Sequence, residues 1–365
     1  MNIVFVETFY GGSHKSFLDG LMKFSRHRIT PITMPSRFWK WRLRGAAFYI
    51  AEQYGETLRG ADLLFVTDMT NLAMLKALSN YTCPAVMFFH ENQLSYPLPD
   101  GDNLDLHFGF INLTSALVAD RCLFNSKYQL DQFDLESKRF INNIPEFAPE
   151  RAHQEIMKRS QVIYMGIDVS AFSHPPVLDN PQPIILWNHR WEFDKQPGVF
   201  FRLLYKLDAE NLPFKLIILG ENFQMHPKEF LEAREKLGHR ILQFGFVESM
   251  DDYARFLAMS DIVISTAIQE NYGFSIIEAL YCHTLPLLPN RLSYPELLSI
   301  QFHKDFLYNN EDELEVKLRQ LLRNYDKMGN HKKLLAESMQ KFDWKNRIDE
   351  FDELFDVLLA KKAPK

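Results

Sequence analysis

The sequence predicts an α/β protein made of two parallel-sheet domains, and three observations carry that prediction. Short apolar, β-branched runs alternate with helix-like segments along the chain, the pattern of strands joined by crossover helices. The 365 residues are enough to bury two cores. Between two such series lies a proline-rich stretch, 173–183, whose Pro175, Pro176, Pro181 and Pro183 mark it as a linker.

In the first half, strands are expected at Ile3 to Glu7, Leu63 to Val66, Ala85 to Phe89 and Cys122 to Asn125, with a further strand-like run at Val162 to Met165. In the second half they are expected at Ile184 to Trp187, Lys215 to Leu219, Ile241 to Phe244, Asp261 to Ser265 and Leu285 to Leu288. These runs are almost wholly apolar, as strands covered on both faces require. The segment Trp344 to Leu359 reads as an amphipathic helix. Its Ile348, Phe351, Leu354, Phe355 and Leu358 share one face, and Asp349, Glu350, Asp352, Glu353 and Asp356 take the other. The expected division is 1–172, a linker at 173–183, 184–343, and a C-terminal helix at 344–365.

A chain that is 46% hydrophobic and 24% charged is of the soluble globular class. No run of about 18 apolar residues occurs, and Met1-Asn2-Ile3 leads directly into a strand, so neither a membrane span nor a signal peptide is expected and the location is read as cytoplasmic. Cys83, Cys122 and Cys282 are isolated, which fits buried free thiols better than disulfides or zinc. Asp100-Gly101-Asp102 has a metal-binding D-x-D pattern, but it follows Pro97 and Pro99 and reads as a turn. No metal is expected.

The richest chemistry lies in Ser265 to Pro286. Glu270 and Glu278 stand with seven residues between them, across a glycine-containing turn that leads from an apolar strand into an apolar helix. Ligands of open α/β sheets sit at that carboxyl edge. Gly273 permits close backbone approach, and the helix after it offers free N–H groups to a diphosphate. Glu270 suits hexose hydroxyls and Glu278 a ribose diol, with Asn271, Tyr272 and Gly273 lining the same turn. Two glutamates at a fixed interval are also common on solvated helix ends. A second strand, Pro183 to Trp187, runs into a loop carrying Arg190 and Lys195, a planar fork and a point charge that can hold a diphosphate without a metal.

Near the N-terminus, Gly11-Gly12-Ser13-His14-Lys15 follows the first strand, either as a close approach for the donor or as a plain tight turn. His90 ends the Ala85 to Phe89 strand, as a site residue or a capping histidine. Although the formal charge is −6, residues 1–60 hold nine Lys or Arg against four acids, so RNA is not excluded as a partner. Within them, Arg37-Phe38-Trp39-Lys40-Trp41-Arg42-Leu43-Arg44 interleaves cations with aromatics. That pattern suits phosphates and unstacked bases, or an amphipathic helix with its aromatics in the core.

Several stretches together resemble the tRNA-queuosine mannosyltransferase family within the retaining GT-B glycosyltransferases. They are E-T-F-Y-G-G-S-H-K from Glu7, F-H-E-N-Q-L-S-Y-P from Phe89, L-F-N-S from Leu123, W-N-H-R-W-E-F-D-K from Trp187, the glutamate loop, and P-N-R-L-S-Y-P-E from Pro289. The resemblance implies a GT-B fold, two Rossmann-like parallel-sheet domains facing each other across a cleft, with the last helix crossing back to the N-terminal domain. It further implies transfer of mannose from GDP-mannose to the cyclopentenediol of queuosine in a tRNA anticodon, by same-face attack in which the leaving phosphate oxygen takes the acceptor proton. No cofactor beyond the nucleotide-sugar co-substrate and no membrane partner are implied. On this reading His90 and Glu270 are catalytic. Gly11, Gly12, Arg190, Lys195, Asn271, Tyr272, Gly273 and Glu278 bind the donor. His14, Lys15, Arg37, Lys40, Arg42 and Arg44 bind the acceptor. A GT-B hexosyltransferase acting on a lipid or polysaccharide is the alternative, since it would share every donor residue. His283 departs from the family, which usually has glycine there.

Overall fold

The computed structural model describes residues 2–96, 105–172, 180–220 and 228–360. Asp100-Gly101-Asp102 and most of the proline-rich stretch lie outside them. The chain divides into two compact units, Met1–Ile167 with Trp344–Lys365, and Asp168–Asp343. No described helix is long and apolar enough to cross a membrane.

The first unit holds β1 (Asn2–Tyr10), β2 (Arg28–Pro35), β3 (Leu63–Thr67), β4 (Ala85–Phe89), β5 (Arg121–Phe124) and β6 (Ser160–Val162). They form one parallel sheet in the order β2-β1-β3-β4-β5-β6. Ile3 to Val6, Leu63 to Val66 and Ala85 to Phe89 are fully buried, because helices cover both faces. Strand β2 was not expected. Its sequence R-I-T-P-I-T-M-P contains two prolines, which a parallel sheet tolerates at its edge, and β2 is an edge strand pairing only with β1.

One sheet face is aromatic: Phe5 stacks on Phe65 at 4.6 Å and Phe17 on Phe88 at 4.4 Å. The last helix, Trp344–Ala360, closes this face with Trp344, Phe351 and Phe355, all fully buried. Asp352 corrects the expected amphipathic pattern. It is buried, not solvated, because its carboxylate accepts from the Ser25 hydroxyl and, at 3.0 Å, from the Arg26 backbone N–H.

The second unit holds β7 (Ile184–Trp187), β8 (Lys215–Ile218), β9 (Ile241–Phe244), β10 (Ile262–Ile264), β11 (Leu285–Pro289) and β12 (Leu307–Tyr308), a parallel sheet in the order β12-β11-β10-β7-β8-β9. With two residues, β12 is too short to show a period in sequence. The unit begins at Asp168 rather than after 172, because the turn Val169–Phe172 packs within it, Phe172 lying 6.3 Å from Tyr253.

The helix Phe274–Tyr281 ends in a paired hydrogen-bond cap, Thr284 N–H to Ala279 C=O at 3.2 Å. That cap puts His283 at φ +66, the left-handed region where glycine is unstrained. The departure noted in the sequence therefore sits at a position whose backbone favours the glycine of the family.

Candidate active site

The second sheet reverses its strand order between β7 and β10, since β7 leads outward to β8 and β9 while β10 leads the other way to β11 and β12. At such a reversal the connections leave on opposite faces and open a crevice at the carboxyl ends. The two loops singled out in the sequence are the ones that leave these two strands. Lys195, in the turn Phe193–Lys195, joins them. Its Nζ donates to the Gln269 carbonyl at 2.6 Å and lies 3.4 Å from Glu270 Oε2 and 3.2 Å from Asp194 Oδ2. Ile268 N–H donates to the Asp194 carbonyl at 2.8 Å, and the Thr266 hydroxyl to the Lys195 carbonyl at 2.8 Å.

Lys195 is thus buried, donating to the Gln269 carbonyl and to Glu270 and ion-paired with Asp194. Burial alone would depress its pKa, but Glu270 and Asp194 outweigh burial and raise it. Burial pushes the Glu270 carboxyl up, and Lys195 with the Gly273 and Tyr272 amides overcomes that and holds it below the usual range. Both are charged at neutral pH. Arg190 differs: its side chain is 49% exposed and pairs with Glu192 at 3.2 Å.

Glu270 has a double task. Oε1 accepts from Gly273 N–H at 2.9 Å and Tyr272 N–H at 3.4 Å, holding the turn that starts the helix Phe274–Tyr281. Gly273 has φ +92, and a Cβ there would stand 2.7 Å from Leu297 Cδ1, so the position requires glycine. The P-N-R-L-S-Y-P-E stretch supports this loop: Arg291 Nη2 donates to the Ala267 carbonyl at 3.1 Å and the Ser293 hydroxyl to the Glu270 carbonyl at 3.2 Å. Asn271 Oδ1 accepts from Gln269 Nε2 at 3.1 Å. Tyr272 is buried, with its ring near Phe274 and Phe342 and its backbone N–H in the turn.

Glu278 accepts from the Tyr253 hydroxyl at 2.7 Å. Burial pushes its carboxyl up to about 7, opposed by that hydrogen bond. Sequence reasoning missed Tyr253, an ordinary member of the helix Met250–Met259. It also passed over Asn188 and His189 inside the quoted W-N-H-R. Asn188 Nδ2 donates to the Ser275 carbonyl at 2.8 Å, His189 Nδ1 lies 3.3 Å from the Ser275 hydroxyl, and burial with Lys195 pushes His189 down to about 4. Asn188 Oδ1 and His189 Nε2 are buried without hydrogen-bond partners among the described residues. Unpaired polar atoms of this kind call for a partner, an ordered water or a ligand group.

The first sheet reverses between β1 and β3, and the polar residues of its carboxyl edge gather there. Glu7 is fully buried, and its Oε2 lies 3.0 Å from His14 Nδ1. Burial would lower the His14 pKa, but Glu7 overrides it and raises the imidazole to about 9. The His14 ring stacks on His90 at 3.9 Å, and burial plus this neighbouring charge hold His90 neutral. Glu7, His14 and His90 bring one ligating atom each within 4.8 Å of one another. A protonated His14 has no lone pair to give, so a proton competes with any ion for this set. Glu7 and Asp68 were missed, though each shows as a lone acid closing an apolar strand.

Gly11 would place a Cβ 2.2 Å from Ser36 Oγ, whereas Gly12, at φ +51, faces open space. His14 is buried with Glu7 and is not a surface contact for a large acceptor; Lys15 is exposed and pairs with Asp19. In the basic cluster, Arg42 is half-buried, its Nη1 3.9 Å from Met34 Sδ and its Nε buried. Arg44 pairs with Asp105 at 2.7 Å, and Arg37 and Lys40 are exposed. The aromatics divide: Trp39 packs on Phe108, while Phe38 and Trp41 are 73% and 68% exposed.

The family model for tRNA-queuosine alpha-mannosyltransferase N-terminal regions matches residues 2–167, and that for group 1 glycosyl transferases matches 170–338. A Drosophila melanogaster tRNA-queuosine alpha-mannosyltransferase is 34% identical over 332 residues, covering 87% of this chain and 86% of that protein. Among solved structures, the sucrose-phosphate synthase of Thermosynechococcus elongatus superposes with a TM-score of 0.76 at 12% identity, covering 99% of this chain and 100% of that one. An Anabaena protein in complex with UDP superposes at 0.71 and 17% identity, covering 98% and 100%. At these identities the two structures bear on the fold, which is the two-domain Rossmann-like GT-B arrangement. With an N-terminal half that matches the tRNA-queuosine alpha-mannosyltransferase model, a second half that matches group 1 glycosyl transferases and a relative matched over most of its length, the chain belongs to the tRNA-queuosine alpha-mannosyltransferase family.

Proposed function

We propose that this protein transfers mannose from GDP-mannose, with retention at the sugar carbon, to the cyclopentenediol of queuosine in a tRNA anticodon. The observation that carries the donor half is the meeting of the Lys195 and Glu270 loops at the reversal of the second sheet. The diphosphate is assigned to the Gly273 turn and helix start, with Arg190 and the Lys195 ammonium balancing the charge that grows as it leaves. Glu278 takes the ribose diol, Glu270 the hexose, and His90 a contact to the transferred sugar. Attack comes from the face the diphosphate leaves, whose oxygen accepts the acceptor proton. Queuosine and mannose are carried by the family. Incubation with queuosine-containing tRNA and a panel of nucleotide sugars, followed by nucleoside mass spectrometry, tests the reading. The expected product is hexosylated queuosine, with GDP-mannose preferred; hexose found only on a lipid or glycan overturns the acceptor.

The two glutamates separate by measurement. Glu278→Gln should weaken nucleoside-diphosphate affinity by about tenfold, since a hydrogen bond to a charged group contributes roughly 1.5 kcal/mol. Glu270→Gln should chiefly slow transfer, because it removes the charge facing Lys195. A carboxyl that titrates near 7 and accepts ribose hydroxyls when ionised makes wild-type affinity rise as pH increases through 7. Titrations from pH 6 to 8 should show that rise and its loss in Glu278→Gln; equal affinity losses in the two variants would count against the assignment.

For the acceptor, the exposed Arg37 and Lys40 are the cleaner cations to test, since Arg42 is half-buried. Replacing both by alanine should raise KM for tRNA and reduce its salt dependence by roughly one unit of log–log slope for each phosphate no longer neutralised. An unchanged salt slope in a folded variant places RNA docking elsewhere.

A further inference from the structure

Asp68 follows β3 beside the strand reversal of the first sheet, and no donor group needs it. Its position is fixed on three sides. Its N–H donates to the Phe88 carbonyl at 3.0 Å, its carbonyl accepts from Asn112 Nδ2 at 3.0 Å, and its Oδ1 accepts from the His90 N–H at 2.8 Å. Yet Oδ2 has no hydrogen-bond partner among the described residues, although the residue is only 1% exposed. Both ring nitrogens of the adjoining His90 are likewise buried and unpartnered, as is Oδ1 of Asn125, whose amide donates to the His90 carbonyl at 3.0 Å. A buried carboxyl without a partner destabilises a fold, on the order of 1 to 3 kcal/mol, and burial accordingly pushes this one up. Three neighbouring residues leave polar atoms unpaired in one corner.

Charge limits what completes it. Glu7 and Glu91 outnumber the single imidazolium of His14, and Asp68 adds to them when ionised, so a phosphate group is repelled. Neutral hydroxyl groups suit the corner: a vicinal diol sets one hydroxyl against Asp68 Oδ2, which accepts when ionised and donates when protonated, and the other against one ring nitrogen of the neutral His90, leaving the second ring nitrogen for the transferred sugar. Two substrates carry hydroxyls, the hexose and the acceptor. The family match separates them, because the general glycosyl transferase model spans only 170–338, whereas the queuosine-type model spans 2–167 and contains Asp68.

We infer that Asp68 is a specificity-determining residue for the acceptor, its free Oδ2 receiving a hydroxyl of the substrate's vicinal diol beside His90. This rests on the acceptor reading proposed above. Asp68→Asn is the informative variant, because the amide keeps the side-chain volume and the oxygen that holds the His90 N–H while replacing an oxygen that can accept by a nitrogen that only donates. Asp68→Ser, smaller and uncharged, serves if the first does not fold.

Affinity is measured for queuosine-containing tRNA and for the same tRNA bearing the aminomethyl base without the cyclopentenediol, alongside hexosylation by mass spectrometry. Wild type should prefer the diol-bearing tRNA by tenfold or more; the variant should fall to within about twofold by losing affinity for that tRNA alone. Undiminished discrimination in the variant overturns the inference while leaving the acceptor reading intact. So does a raised KM for the nucleotide sugar with discrimination retained, which would place Asp68 against the hexose. Failure of wild type to modify queuosine at all removes both.

Discussion

Lys195→Ala is expected to lower kcat/KM by about a thousandfold, near 4 kcal/mol, and to destabilise the fold by roughly 3 kcal/mol. The two losses have one cause. Lys195 is the buried cation facing Asp194, Glu270 and the Gln269 carbonyl, so its removal leaves two carboxylates in a low-dielectric corner without a counter-charge. The sequence suggested a diphosphate clamp, and the burial of Lys195 adds a part in holding the fold. Arg190→Ala is the contrast. Its half-exposed side chain pairs at the surface with Glu192, so about 2 to 3 kcal/mol should disappear from kcat/KM and well under 1 kcal/mol from stability. Steady-state kinetics with urea unfolding on both variants separates the cases. Turnover of Lys195→Ala within tenfold of wild type would remove the residue from the site.

The second large effect is structural. Trp344→Ala should cost about 3 to 5 kcal/mol, since it deletes a fully buried indole ringed by Phe17, Phe24 and Phe351. The same indole explains two glycines. A Cβ on Gly20 would lie 1.9 Å from its Nε1, and one on Gly166 2.1 Å from its Cδ2. Gly166→Ala should therefore overpack the site and cost about 1 to 3 kcal/mol or more in wild type, and far less in a Trp344→Ala background where the space is open. Additive losses in that double-mutant cycle would show that the glycine is needed for its backbone alone.

These effects mark what a sequence can and cannot carry. Ile3 to Val6, Ala85 to Phe89 and Ile184 to Trp187 were legible as strands because both sheet faces are covered and every residue in them is apolar. The helix Trp344–Ala360 was legible from its spacing, but the same spacing misplaced Asp352, whose burial depends on Ser25 and Arg26. Arg190, Lys195, Glu270 and Glu278 stood out by type and interval. Glu7, Asp68, His189 and Tyr253 did not, because their roles come from partners in other elements: His14 for Glu7, His90 for Asp68, Ser275 for His189 and Glu278 for Tyr253.

The sequence by itself determined the class of the fold, the candidate loops and the family, since hydrophobic runs, turn residues and motif spacing are local properties of a chain. Only the tertiary structure decided which strands became neighbours, where β2 and β12 attach, and which charges lost their water. Lys195 and Asp68 look alike in sequence as charged residues near strand ends. One is neutralised by two carboxylates and the other retains an unpaired oxygen, a difference set by long-range packing, because burial and counter-charge depend on residues that meet only when the sheet has formed.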